Sequence, residues 1–217
     1  MNKLALAISA LLVSGGVMAN PGDDNSAWVN LQYSDDNDVD IVQVSYGNYA
    51  DNRARVNMHY SDDNDVDIYQ RGTKNKARVN IHGSDHNDVD IYQRGARNVS
   101  DNTISYGANH NYIDVDQYGY DNLSNIYIKS GDRNDVDVDQ DGAHNESYVS
   151  LLSENVDHNY IDIDQDGHES KTTVIMNTGG GSGYTNGNDV DVTQNTNDLA
   201  WVNLYNSSYN DINISQY

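Results

Sequence analysis

The stretch Ala77–Gly95, ARVNIHGSDHNDVDIYQRG, decides the fold, because imperfect copies of it recur along the chain. The same phrase opens at Ala27 (AWVNLQYSDDNDVDIVQ), Ala54 (ARVNMHYSDDNDVDIYQ) and Ala200 (AWVNLYNSSYNDINISQ), and in all four the closing Gln follows the Ala by 16 residues. An invariant spacing of this kind calls for one repeated geometry.

The closing glutamines are Gln43, Gln70, Gln93, Gln117, Gln140, Gln165, Gln194 and Gln216, spaced 27, 23, 24, 23, 25, 29 and 22 residues. Such a unit is too short for a helical hairpin repeat of about 33–47 residues. Inside it the period is two. Asn87, Val89, Ile91, Gln93 and Gly95 share one face, and Asp88, Asp90, Tyr92 and Arg94 share the other. The preceding half alternates likewise, with Ala77, Val79 and Ile81 against Arg78, Asn80 and His82. Strict alternation marks strands. Each unit is therefore strand, turn, strand, turn, and the chain is expected to be all-β: a two-sheet β-solenoid of about eight rungs in cross-β stacking.

Outward from the repeats, residues 1–19 carry Lys3, an apolar run from Leu4 to Val13, and Val17 and Ala19 where a signal peptidase reads. They are expected to be a secretory signal cleaved after Ala19, the run being too short to span a bilayer. Residues 20–26 form a short polar lead-in. Residues 27–217 form one repeat domain, in which extra length falls at turns: Tyr46 to Asp51, Glu154 to His158, and a Gly-rich loop over residues 177–187.

The chain has no Cys, so this expected export product has no disulfide framework, and its one Pro, Pro21, precedes every strand. The formal net charge of −22 argues against nucleic acid or an anionic membrane as partner, and no membrane insertion is expected. High polarity with no Phe would suggest disorder, but sustained alternation at fixed spacing argues for order.

Stacking such units places equivalent residues about 4.8 Å apart. Side chains then form ladders. The glutamine column, and a second column of Asn75, Asn98, Asn122 and Asn145, can bond amide to amide inside the stack, which spares buried polar groups roughly 1–3 kcal/mol each. Gly72, Gly95, Gly119, Gly142 and Gly167 stand two residues after the Gln, where the chain reverses and positive φ is useful.

The spacing of Asn64, Gln70, Gly72, Asn75 and Ala77 resembles the curlin repeat of the bacterial surface fibres called curli, and it returns at Asn87 to Ser100, Asn111 to Ser124 and Asn134 to Ser147. Here Asn replaces the family's leading Ser, the second Gln is mostly apolar (Ile81, Ile128, Leu151), and the outer face is unusually acidic. The resemblance implies an extracellular functional amyloid supporting biofilm matrix and adhesion. It also implies a Gram-negative source, a dedicated outer-membrane secretion pore and a separate nucleator subunit. The final repeat, NDINISQY, has no Lys or Arg, which leans toward the major subunit rather than the nucleator.

No capping segment is evident at either end of the stack. Both sheet edges are therefore expected to accept another copy, giving a homopolymer that grows head to tail. On the outer face, Asp65, Asp67, Asp88, Asp90, Asp114, Asp135, Asp137 and Asp162 fall into columns. Adjacent carboxylates at about 5 Å repel by roughly 1 kcal/mol in bulk water and roughly 3 at an effective dielectric near 20. No cofactor is required, but Ca²⁺ bridging successive rungs would reverse that penalty; the alternative is a solvated acidic face that delays aggregation during export. A monomeric calcium-dependent adhesin would need capped ends. A β-helical polysaccharide-degrading enzyme would need one distinctive site where this chain has a uniform array, so no enzyme activity is expected.

Overall fold

A computed structural model describes residues 25–45, 51–179 and 183–217. The expected signal at residues 1–19, residues 20–24 of the polar lead-in, the turn at 46–50 and the middle of the Gly-rich loop at 180–182 lie outside the described residues.

The chain forms sixteen strands in eight rungs. These are β1 (Ser26–Gln32) with β2 (Asp38–Ser45), β3 (Arg53–His59) with β4 (Asp65–Thr73), β5 (Lys76–His82) with β6 (Asp88–Ala96), and β7 (Val99–Ser105) with β8 (Tyr112–Tyr120). Then follow β9 (Leu123–Lys129) with β10 (Asp135–Ala143), β11 (Glu146–Leu152) with β12 (Tyr160–His168), β13 (Lys171–Asn177) with β14 (Asp189–Gln194), and β15 (Leu199–Tyr205) with β16 (Asp211–Gln216). Odd strands make one eight-stranded sheet and even strands the other, each in sequence order and all pairs parallel. Parallel neighbours normally need a long crossover. Here short turns suffice, because consecutive strands belong to opposite sheets and the chain coils.

Register is kept without a slip. Gln43 pairs with Gln70, Gln70 with Gln93, Gln93 with Gln117, and so on to Gln194 with Gln216. The turns absorb every insertion. Period-two alternation then sends one face of each strand inward: Val66, Ile68, Val89, Ile91, Ile113, Val115, Val136 and Val138 from the even sheet meet Val56, Met58, Val79, Ile81, Ile126, Ile128, Val149 and Leu151 from the odd one, all buried. The core is one residue pair thick per sheet and runs the length of the stack. Asn102 departs from it. Lying between Val79 and Ile126 in the odd sheet and fully buried, it donates to Ser100 Oγ at 3.3 Å and leaves its Oδ1 unpartnered.

The corners use left-handed backbone at fixed columns. Lys74, Arg97, Asp121, His144, Glu169 and Asn197 have φ near +60° after the even strands, and Asp36, Asp63, His86, His110, Arg133 and His158 do so before them. Few L-residues adopt this conformation freely, so the repeated ladder bonds described below hold it in place.

Candidate functional site

The glutamines form one continuous ladder. Each Nε2 donates to the Oε1 of the next rung, from Gln43 to Gln216, at 2.7–3.0 Å. Its second hydrogen goes to the first strand of its own rung, as from Gln93 to Lys76 O at 3.0 Å and from Gln117 to Val99 O at 3.0 Å. Gln70, Gln93, Gln117, Gln140 and Gln165 are wholly buried. The column thus joins rung to rung and sheet to sheet at one edge of the sandwich.

At the opposite edge the same role falls to the leading asparagines, which sequence reasoning placed in the motif but not in a ladder. Asn64, Asn87, Asn111, Asn134, Asn159, Asn188 and Asn210 each donate Nδ2 to the Oδ1 of the preceding rung at 2.7–3.1 Å. Each also donates its backbone N–H to that oxygen. The signal was present: an Asn stands six residues before every closing Gln. Two residues before each of these asparagines a second column runs in the opposite sense, backbone N–H groups donating to the side chain of the following rung, Asp35 N to Asp62, Asp62 N to Asp85, and Asp85 N to Asn109, at 2.7–2.8 Å.

The column of Asn75, Asn98, Asn122 and Asn145 is arranged differently from the expectation. Asn75 donates Nδ2 to Asn52 Oδ1 at 3.1 Å, but the amides of Asn98, Asn122 and Asn145 do not bond one another. Their oxygens accept backbone N–H groups of the next rung, and their Nδ2 atoms reach the carbonyls of Gly119, Gly142 and Gly167 at 3.3 Å. Gly72, Gly95, Gly119 and Gly142 lie inside their strands with φ of 114–125°, and a Cβ on any of them would overlap the carbonyl oxygen of the glycine one rung on. Gly167 has φ 118° and a Cβ there would meet Thr196 and Asn195. Glycine is thus required twice over, by torsion and by stacking.

The acidic columns lie on the even sheet's outer face. Asp40, Asp67, Asp90, Asp114, Asp137, Asp162 and Asp191 are serial neighbours, flanked by Asp65, Asp88, Tyr112, Asp135 and by Asp116, Asp139, Asp164. Burial, then the neighbouring Asp90, pushes the Asp88 carboxyl up to about 6. Burial, then Asp114, does the same to Asp116 and Asp137, each about 6. Asp67, Asp90, Asp114, Asp135 and Asp162 are also raised, burial being the largest cause for each. Tyr112 donates from its hydroxyl to Asp114 at 3.3 Å and Asp90 at 3.4 Å, which lowers both carboxyls again in part. Among the described residues no three His, Asp or Glu side chains are grouped so that they could hold a metal ion.

Ring columns report the rung repeat. Tyr33 and Tyr60, Tyr69 and Tyr92, and His86 and His110 stack with centroids 4.9 Å apart, which is the cross-β spacing. His86 and His110 lie in the left-handed corner column with Asp63 and Arg133, and His86 Nε2 is 3.4 Å from Asp63.

The two ends of the stack complement one another. Among the described residues no strand pairs with the outer edges of β1 and β2 or of β15 and β16, although Asn25 Nδ2 donates to Gln43 O at 3.3 Å. Among the described residues, Gln43 at the first rung donates but its Oε1 accepts nothing, and Gln216 Nε2 at the last reaches only Leu199 O, at 3.4 Å. The asparagine ladder runs the other way, ending on an Asn210 Oδ1 that accepts from none of the described residues. Partly buried Val29, Leu31, Val39 and Ile41 close one end of the core, and Ile212 and Ile214 the other. Trp28 and Trp201 occupy the same outward column, 45 % and 70 % exposed. No helix among the described residues is long and apolar enough to cross a membrane.

Three stretches, residues 62–87, 85–119 and 131–167, match the model of the curlin associated repeat. They cover the glutamine, asparagine and glycine columns of the middle rungs. No curated protein and no solved structure matches the chain.

Proposed function

Because this chain is a curlin-repeat protein, we propose that it is a structural subunit of an extracellular amyloid-type fibre, built from copies stacked head to tail through the first and last rungs. The observation that carries this is the polarity of the ladders. Gln216 Nε2 of one copy faces Gln43 Oε1 of the next in the sense used by every rung inside the molecule, and Asn37 N–H of the second copy faces Asn210 Oδ1 of the first. Reversing one copy would bring donor to donor and acceptor to acceptor.

The same stacking sets Trp201 of one copy beside Trp28 of the next and covers the apolar ends of the core. Edges of this kind are templates for further strands. A structural role suits the repeat's family, which is one of fibre subunits rather than enzymes. Within such a system the chain is the major subunit, exported through an outer-membrane pore and seeded at the cell surface by a nucleator, and the fibre supports matrix and adhesion.

The test is a time course of amyloid-dye fluorescence on residues 20–217, with and without preformed seeds, with electron microscopy of the endpoint. Fibres whose lag is abolished by seeds are expected. A stable strand-rich monomer that ignores seeds would overturn the proposal.

A further inference from the structure

Eight of the chain's twelve Lys and Arg lie between Arg53 and Arg97, in a chain of net charge −22. The solenoid puts four of them on the outer face of the odd sheet, Lys74 and Arg97 at the corner beside it, and Arg71 and Arg94 on the outer face of the even sheet. Arg53 and Lys76 are serial neighbours in the odd sheet, as are Arg55 and Arg78, and all four point outward and are exposed. They line a groove of about 820 Å³ that runs along the stack from Trp28 to Asp101. Arg55 lies over the Trp28 ring at 4.2 Å and Arg78 pairs with Asp101 at 2.6 Å. No carboxylate among the described residues is within ion-pair distance of Arg53, Lys74 or Lys76.

The nearest large store of carboxylates is the Asp columns, but these cover the outer face of the other sheet. The two outer faces look away from each other across the core, so one molecule cannot bring them together. Copies stacked end to end cannot do so either.

We propose that the groove between the Arg53–Lys76 and Arg55–Arg78 columns is a lateral docking surface for a second copy of this chain in a neighbouring fibre, whose Asp columns lie against it. Complementary lattices support this partner. Both faces have the same rung repeat, and on both, outward columns two residues apart are separated by about 6.6 Å. A block of four cations can therefore lie on Asp65, Asp67, Asp88 and Asp90 with each charge opposed, and simple sideways translation of one fibre brings the faces together. The contact is heterologous, so it repeats from fibre to fibre without closing. It rests on the fibre reading above, and it gives that fibre one lateral patch per subunit.

The experiment compares bundling of preformed fibres of the full chain with those of Arg55→Glu/Arg78→Glu. The control, Lys129→Glu/Lys171→Glu, makes the same change in net charge on the same sheet outside the groove. Bundle width by electron microscopy and the fraction pelleted at low speed are read at 20 mM and 500 mM salt. Wild type and control are expected to bundle at low salt and separate at high salt. The groove variant is expected to form fibres of normal seeding behaviour but to pellet at least fivefold less. Arg55→Gln/Arg78→Gln supplies a neutral second variant should charge reversal impair folding, with an intermediate loss expected.

Equal bundling by groove variant and control would overturn the inference, as would wild-type fibres that remain single. Retention of polygalacturonate by wild-type fibres but not the variant, at unchanged bundle width, would assign the groove to a foreign polyanion and overturn it too. A wild-type chain that forms no fibres would sink the fibre reading itself, which is a distinguishable result.

Discussion

Replacing Gln117 by leucine probes whether the buried amide ladder holds the stack together. Gln117 is wholly buried, accepts from Gln93 Nε2 at 2.8 Å and donates to Gln140 Oε1 at 2.8 Å and to Val99 O at 3.0 Å. Leucine, of similar volume, leaves a Gln93 N–H without its acceptor and Gln140 Oε1 without its donor. Two orphaned buried groups cost about 2–6 kcal/mol, and the added apolar surface returns about 1–2, leaving a loss of about 3. With a guanidinium m-value of about 5 kcal/mol/M for a chain of this size, the unfolding midpoint read by far-UV circular dichroism should fall by about 0.6 M. Gln216→Leu is the comparison: its ladder partner Gln194 sits one rung from the end, and water replaces what is lost at the half-buried edge. A loss below about 1 kcal/mol is expected there. Equal midpoints for the two variants, or a Gln117→Leu midpoint at the wild-type value, would refute the ladder as a source of stability.

Gly95→Ala meets both a φ of 120° and the Gly119 carbonyl, whereas Gly83→Ala has φ 58° and open space around it. Thermal unfolding should show the first as severely destabilised and the second reduced by only about 1–2 kcal/mol. Asn102→Val removes an unpartnered buried oxygen from between Val79 and Ile126 and should raise the unfolding temperature, by about 1–3 kcal/mol of stability. The carboxyls of Asp88, Asp116 and Asp137 are raised from 3.8 to about 6, so between those values the folded chain binds more protons than the unfolded one, and stability rises as pH falls. Midpoints measured from pH 7 to pH 4.5 should climb, and the triple Asp→Asn variant should start higher and vary less; a flat wild-type profile would contradict this. Calcium bridging Asp90 to Asp114 and Asp137 to Asp162 is expected to shorten the assembly lag at pH 7, and an unchanged lag would remove the ion from the account.

Much of the architecture is legible because a parallel solenoid converts sequence period into spatial column. Once Gln43 to Gln216 recur at nearly constant spacing, in-register stacking leaves each one beside its counterpart, and alternation assigns the faces. The acidic columns and the outward Tyr69 and Tyr92 follow from the same arithmetic. Corner residues are another matter. Asn64 and Asn75 are both repeated asparagines at the ends of strands, yet only the Asn64 column bonds amide to amide throughout. Both columns follow a left-handed residue, so which way such a side chain points depends on the carbonyls the turn presents, and these are not visible in periodicity.

The sequence by itself determined the strand count, the division into two sheets, the register and the composition of every inward column, because each depends only on spacing and on a period of two. The tertiary structure decided the rest. It showed why glycine must follow the glutamine, since the obstructing carbonyl belongs to the next rung. It set the direction in which each ladder donates, and hence the polarity of the ends. It also separated four of the eight clustered cations from the carboxylates around them in sequence, placing Arg53, Arg55, Lys76 and Arg78 on one outer face and Asp67 and Asp90 on the other. Charge balance in a chain is a sum over residues, but interaction between charges depends on distance, and only the coiling of the chain fixes that.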